Sequence, residues 1–128
     1  MSREFIEKWY KSIPKMERDL PIILIDGKVY TPNEVYEEVM KGTELGEIMQ
    51  SKLERMSSPH SMTYEDLREI RHIAYERVKR ILEDLPKDFS IVSLSGKIAK
   101  GKDEIFKAIG KSAIEYEMKR VIRLIRGR

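Results

Sequence analysis

The feature that most constrains the fold is a long helical pattern between Thr63 and Pro86. Apolar side chains recur there at an average spacing of 3.6 residues, the repeat of a straight α-helix, whereas a coiled-coil seam repeats every 3.5 residues. Thr63 and Asp66 form a helix-start signal, and Pro86 ends the pattern. We therefore expect a straight helix from Thr63 to Leu85 that packs on a globular core. The apolar positions are Leu67, Ile70, Ala74, Val78, Ile81 and Leu85.

The first part of the chain predicts a helix, a β-hairpin and a pair of helices. Ser2 is a candidate N-cap for a first helix, which Pro14 should stop or kink. Residues 22–30 combine a β-branched run, an Asp-Gly turn and a second short strand, a strong hairpin signal. Residues 31–34 read Thr-Pro-Asn-Glu and predict a capping box, and the helix that they open should end at Gly42, where Thr43 starts the next one.

The second part predicts the long helix, a short strand and a last helix. Residues 57–62 are typical of a linker, residues 89–94 of a strand that could pair with the first hairpin, and residues 95–102 of a loop. The last helix should run from Asp103 to about Ile125. The expected fold class is α+β and mostly helical, with about five helices and a small two- or three-stranded antiparallel sheet. We expect a single domain over residues 1–128, with residues 1–56 and 63–128 joined by the linker.

The last helix carries two apolar stripes on nearly opposite sides. At 100° per residue, its first half presents one stripe and its second half another, which a helix with a single buried side does not do. A break at Gly110 could let each half pack on the same core. Alternatively, one straight helix could pack two ways inside the monomer, or its second stripe could face another subunit. The candidate oligomer interface is Ile114, Met118, Val121 and Ile125.

Positive charge is concentrated in the same segment. Residues 97–128 carry ten Lys/Arg and four Asp/Glu, whereas the whole chain has a net charge of only +3. Four cations fall together opposite the second apolar stripe, where they could form a solvated surface or contact phosphates. These candidate nucleic-acid-binding residues are Lys119, Arg120, Arg123 and Arg126.

Composition excludes several classes of protein. The absence of cysteine excludes disulfides and thiolate chemistry. No stretch approaches the roughly 20 apolar residues of a membrane span, and the N-terminus lacks the pattern of a signal peptide, so we expect a cytoplasmic protein without a membrane partner. One asparagine and one glutamine among many charged residues are typical of thermophilic proteins.

Local motifs for catalysis or cofactor binding are weak. Gly110-Lys111-Ser112 resembles the end of a P-loop, but Ile105 stands where its first glycine belongs. His72 with two neighbouring glutamates is better explained as an exposed charged surface than as a metal site. We therefore predict no catalytic residue, metal, cofactor or small-molecule substrate.

The sequence favours a non-catalytic, homo-oligomeric interaction protein whose basic C-terminal helix contacts nucleic acid. One alternative is a purely protein-binding assembly subunit, in which the basic residues are only solvated. Another is a small enzyme whose active site is assembled from residues far apart in the sequence.

Overall fold

Helices and two short hairpins alternate along the chain. The computed structural model describes residues 3–58, 61–92 and 95–127, which contain five α-helices. The elements are α1 (Glu4–Ser12), a 3₁₀ turn (Lys15–Glu17), β1 (Ile23–Ile25), β2 (Lys28–Tyr30), α2 (Pro32–Lys41), α3 (Glu44–Ser57), α4 (Tyr64–Glu83), β3 (Ser90–Val92), β4 (Ile98–Lys100) and α5 (Lys102–Arg126). The predicted fold class, α+β and mostly helical, is confirmed.

The predicted helix caps are present at α2, α3 and α4. The Thr31 hydroxyl accepts a hydrogen bond from the Glu34 amide, and the Glu34 carboxylate accepts one from the Thr31 amide. Gly42 adopts a left-handed conformation (φ 72°) and ends α2, while Thr43 caps α3. These bonds satisfy backbone groups that each helix end leaves open. Ser2, the predicted cap of α1, lies outside the described residues.

The first hairpin has a tight turn at Asp26-Gly27. Both residues have positive φ angles, 49° and 80°, as a two-residue type I′ connection requires. The strands pair in register, with Ile23 opposite Tyr30 and Ile25 opposite Lys28. Because Ile23 and Ile25 are both buried, this register directs one side of the hairpin into the core.

The strand predicted near residue 90 has a different partner from the expected one. It pairs antiparallel with β4, placing Val92 opposite Ile98, and the two hairpins form separate two-stranded sheets. The expected pairing with the first hairpin is therefore wrong, as is the assignment of residues 98–100 to a loop. Residues 93 and 94, at the end of the predicted strand, lie outside the described residues.

The buried apolar side chains form two clusters. The larger cluster collects residues from α1, the first hairpin, α2, α3, the first half of α4 and the end of α5. The smaller cluster has Val78, Leu82 and Ile105 as its buried members, with the second hairpin packed against it. The buried side of α4 differs in part from the predicted stripe. Leu67 and Ile81, which were expected to be buried, are exposed, and Arg77 is buried.

Helix α5 runs unbroken through Gly110 for 25 residues. The alternative of a break at Gly110 is therefore wrong. Instead, one continuous helix contributes Ile105 to the smaller cluster and Val121, Leu124 and Ile125 to the larger one. The described helices include none that combines the length and apolarity needed to cross a bilayer.

Candidate nucleic-acid interface

Three of the four predicted basic residues lie exposed on the last turns of α5. Lys119, Arg123 and Arg126 are spaced by four and three residues, so they share one side of the helix. None of the three has an ion pair, hydrogen bond or ring contact with another described residue. Their charges are therefore not neutralised by the part of the chain that the structure describes.

Arg120, the fourth predicted residue, has a different environment. Its Nε donates a hydrogen bond to Glu17 Oε2 at 3.2 Å, and its side chain is 29% exposed. Glu17 belongs to the 3₁₀ turn, 103 residues earlier in the sequence. Arg120 therefore serves an intramolecular contact, and the exposed set is Lys119, Arg123 and Arg126.

Glu17 also belongs to a buried ionic layer centred on Arg77. The Arg77 guanidinium is fully buried and donates to Glu117 Oε1 at 3.0 Å, Glu17 Oε2 at 2.8 Å and the Pro21 carbonyl at 3.1 Å. With Arg120 included, the ionic layer contains two cations and two carboxylates. Every buried side-chain nitrogen and oxygen in the described ranges has a hydrogen-bond partner. The ionic layer is thus held together by contacts within the chain, which indicates a structural role.

A cation from α1 extends the exposed set. Lys8 and Arg126 line the same shallow depression between α1 and the end of α5. The position of α1 is fixed by Trp9, whose Nε1 donates to the Leu124 carbonyl at 3.0 Å. We call Lys8, Lys119, Arg123 and Arg126 the basic face.

The predicted oligomer interface is covered within one chain. Val121 and Ile125 are 0% and 1% exposed and belong to the larger cluster. Met118 is half-buried against the same cluster, and Ile114 is half-buried against the smaller one. The second apolar stripe of α5 therefore packs inside the monomer, and any contact between copies requires other residues.

Apolar side chains with larger exposure are found on the second hairpin, which precedes α5. Val92 and Ile98, cross-strand partners in the second hairpin, are each 67% exposed. Together with Ile109 of α5 they line an open cleft of about 610 Å³. The sequence analysis missed this surface because it assigned Ile98 to a loop; the Ile98-Ala99-Lys100 run between Gly96 and Gly101 is the signal that could have revealed the strand.

The geometry gives little support for metal or acid–base chemistry. Across residues 3–58, 61–92 and 95–127, no three His, Asp or Glu side chains are arranged to hold a metal ion. The largest pKa change affects Asp66, where two hydrogen bonds from the Arg55 guanidinium hold the carboxyl pKa near 2. Asp66 also accepts a hydrogen bond from the Thr63 amide, so this pair fixes the start of α4 against α3.

Comparison with known proteins finds no matching family model, no similar curated protein and no similar solved structure.

Proposed function

We propose that this chain is a non-catalytic interaction protein that binds nucleic acid through the basic face. The observation that carries the proposal is the contrast within one helix. Arg120 is neutralised by Glu17, whereas Lys119, Arg123 and Arg126 remain exposed without an acidic partner in the described chain. Cations of this kind attract polyanions, and an arginine fork can hold a phosphate through two hydrogen bonds.

The dimensions of the basic face suit a phosphate backbone. Lys119 and Arg126 are separated by seven residues, or about 10.5 Å along the helix axis. A stretch of that length runs past more than one phosphate of a nucleic-acid strand, so the three cations can contact successive phosphates. A cytoplasmic location completes the proposal, since this cysteine-free chain requires no oxidising compartment.

Salt dependence of binding tests the proposal. We expect the variant Lys119→Ala/Arg123→Ala/Arg126→Ala to bind an oligonucleotide more weakly and with a log–log salt slope reduced by roughly 2 to 3 units, because up to three phosphate contacts are lost. Fluorescence anisotropy at a series of salt concentrations measures both quantities.

A matched control removes the same charge elsewhere. The variant Lys28→Ala/Lys41→Ala/Lys87→Ala removes three exposed lysines that lie outside α5. This control variant should retain the salt slope of the unmodified protein. Equal losses in both triple variants, or no binding by the unmodified protein, would overturn the proposal.

Self-association is a second candidate property, and the second hairpin favours it. Val92 and Ile98 expose large apolar areas on one side of the hairpin, and within the described chain β3 pairs with β4 alone. A strand edge of this kind presents unpaired backbone groups. The same strand of a second copy can pair with this edge across a twofold axis, because both copies then contribute the same surface to the contact. The proposed contact therefore joins β3 of one copy to β3 of another.

Solution mass tests this second candidate. A self-associating chain should have a mass above 15.1 kDa by light scattering, and Val92→Lys/Ile98→Lys should return it to the monomer mass. Ile48→Lys is the matched control, because Ile48 is a 45% exposed aliphatic residue on α3. A mass of 15.1 kDa for the unmodified protein at high concentration would exclude this contact.

A further inference from the structure

An exposed aromatic ring continues the stripe of the basic face. Tyr116 lies three residues before Lys119 and seven before Arg123, spacings that place all three on one side of α5. Its side chain is 62% exposed. Within the described residues it has no hydrogen bond, cation–π contact or stacked ring, unlike Tyr10 and Tyr75, which contact other rings. The ring is therefore free to contact a partner.

The surface beside Tyr116 is apolar. The ring lines a groove between α4 and α5 together with Ile81, Ile109 and Ala113. Ile81 and Ile109 are 41% and 39% exposed, so the floor of the groove is also accessible. A flat apolar group on Tyr116 would contact these side chains as well as the ring. The helix thus presents a stacking surface at one end of the stripe and phosphate-binding cations at the other.

This order of groups distinguishes two forms of nucleic acid. In a duplex each base is stacked between its neighbours and its π-face is unavailable to a side chain. In a single strand the bases can stack on aromatic side chains while cations follow the backbone. An exposed tyrosine ring adjacent to unpaired cations can therefore stack on a base only in an unpaired strand.

We infer that the preferred partner of the basic face is single-stranded nucleic acid, with an unpaired base stacked on Tyr116 and phosphates bound by Lys119, Arg123 and Arg126. The inference rests on the proposed function, because it requires that these cations bind phosphates. It adds the strandedness of the partner and a residue that contacts a base.

The test compares a labelled oligothymidylate with a duplex of the same length. Tyr116→Ala should weaken single-strand binding by roughly 5- to 160-fold, the range for loss of one base–aromatic stack, and should leave duplex binding unchanged. Its salt slope should equal that of the unmodified protein, because no phosphate contact is removed. Tyr116→Phe should bind as the unmodified protein does, since the ring is retained.

Tyr64→Ala is the matched control. Tyr64 is 78% exposed and lies on α4 beside the acidic residues Glu65 and Asp66. Its removal should leave both affinities unchanged. Thermal unfolding of each variant shows whether the fold is retained, and an oligouridylate arm extends the comparison to RNA.

The possible failures are distinguishable. If the duplex binds as tightly as the single strand and Tyr116→Ala has no effect, while the triple cation variant loses affinity, the inference is overturned and the proposed function stands. If no nucleic acid binds the unmodified protein, both are overturned.

Discussion

The two apolar clusters on either side of the ionic layer differ in how completely the chain covers them. Among the described residues, the larger cluster contains sixteen buried side chains, which come from all five helices, from β1 and from the segment before β1. Trp9 is one of them. The smaller cluster contains only Val78, Leu82 and Ile105. Beside it, Val92 and Ile98 remain two-thirds exposed. The larger cluster is thus covered by many elements of the chain, whereas the smaller cluster lies beside apolar side chains of the second hairpin that remain in solvent.

This difference implies that the two ends of the molecule contribute unequally to its stability. Burial of apolar area supplies most of the free energy of folding, so the larger cluster should dominate the stability of the chain. Local opening should require less free energy around the smaller cluster, where fewer apolar side chains are buried. Substitutions on the second hairpin, or on the exposed side of α5, should therefore cost little free energy of folding.

Removal of Arg77 should have the largest effect and tests the boundary between the clusters. Arg77→Met leaves Glu117 buried without its cation, which costs about 3–5 kcal/mol. Urea denaturation measures this loss. The double variant Arg77→Met/Glu117→Leu should recover more than half of it, because an apolar pair can replace a buried ion pair, while Glu17 retains Arg120. A cost below about 1 kcal/mol for the single variant would contradict a structural role for the ionic layer.

A pair of identical substitutions compares the clusters directly. Leu53→Ala in the larger cluster removes a side chain that is 0% exposed and should cost about 3–5 kcal/mol. Leu82→Ala removes one that is 8% exposed beside a surface able to relax, and should cost about 2 kcal/mol or less. Equal losses in chemical denaturation would show that the two clusters are equally well packed.

Acid should reduce the difference in stability between the two ends of the molecule. The Arg55 guanidinium lowers the Asp66 pKa from 3.8 to about 2, with a smaller contribution from the Thr63 amide. Because the folded pKa lies below the unfolded one, the stabilisation is complete above about pH 4 and is lost as the pH falls toward 2. It amounts to up to about 2 kcal/mol. This pair joins α3 to α4 next to the larger cluster, so that end should weaken first.

The variant Asp66→Asn isolates this effect. Its free energy of unfolding should be lower than that of the unmodified protein near neutral pH and should vary less between pH 4 and 2. Thermal unfolding at a series of pH values measures the two profiles. Parallel profiles would indicate that other carboxyl groups cause the acid sensitivity.

The parts of the fold that sequence analysis predicted well depend on local signals. Thr31 with Glu34, Gly42, and Thr63 with Asp66 each act within a few residues, so their spacing alone identifies the helix ends. The Asp26-Gly27 turn is equally local. The partner of β3 was missed because strand pairing depends on which segment is near in space, and the short Ile98–Lys100 strand carries little pattern of its own.

The candidate interface was only partly predictable for the same reason. Periodicity along α5 identified the aligned cations, but it could not show that Arg120 meets Glu17 from a distant turn. It also could not show that Val121 and Ile125 are covered by the same chain. Periodicity did not distinguish Tyr116 either, since its exposure became visible only once the position of α4 was known.

The hydrogen bond from Trp9 to Leu124 has a consequence for how the chain is made. The two residues are 115 positions apart, and translation at about 5–20 residues per second separates their synthesis by roughly 6 to 23 seconds. Throughout that interval Ile6 and Trp9 have no Val121, Leu124 or Ile125 to pack against. On the ribosome, the part of α1 that packs against α5 therefore stays uncovered by it until the final helix emerges.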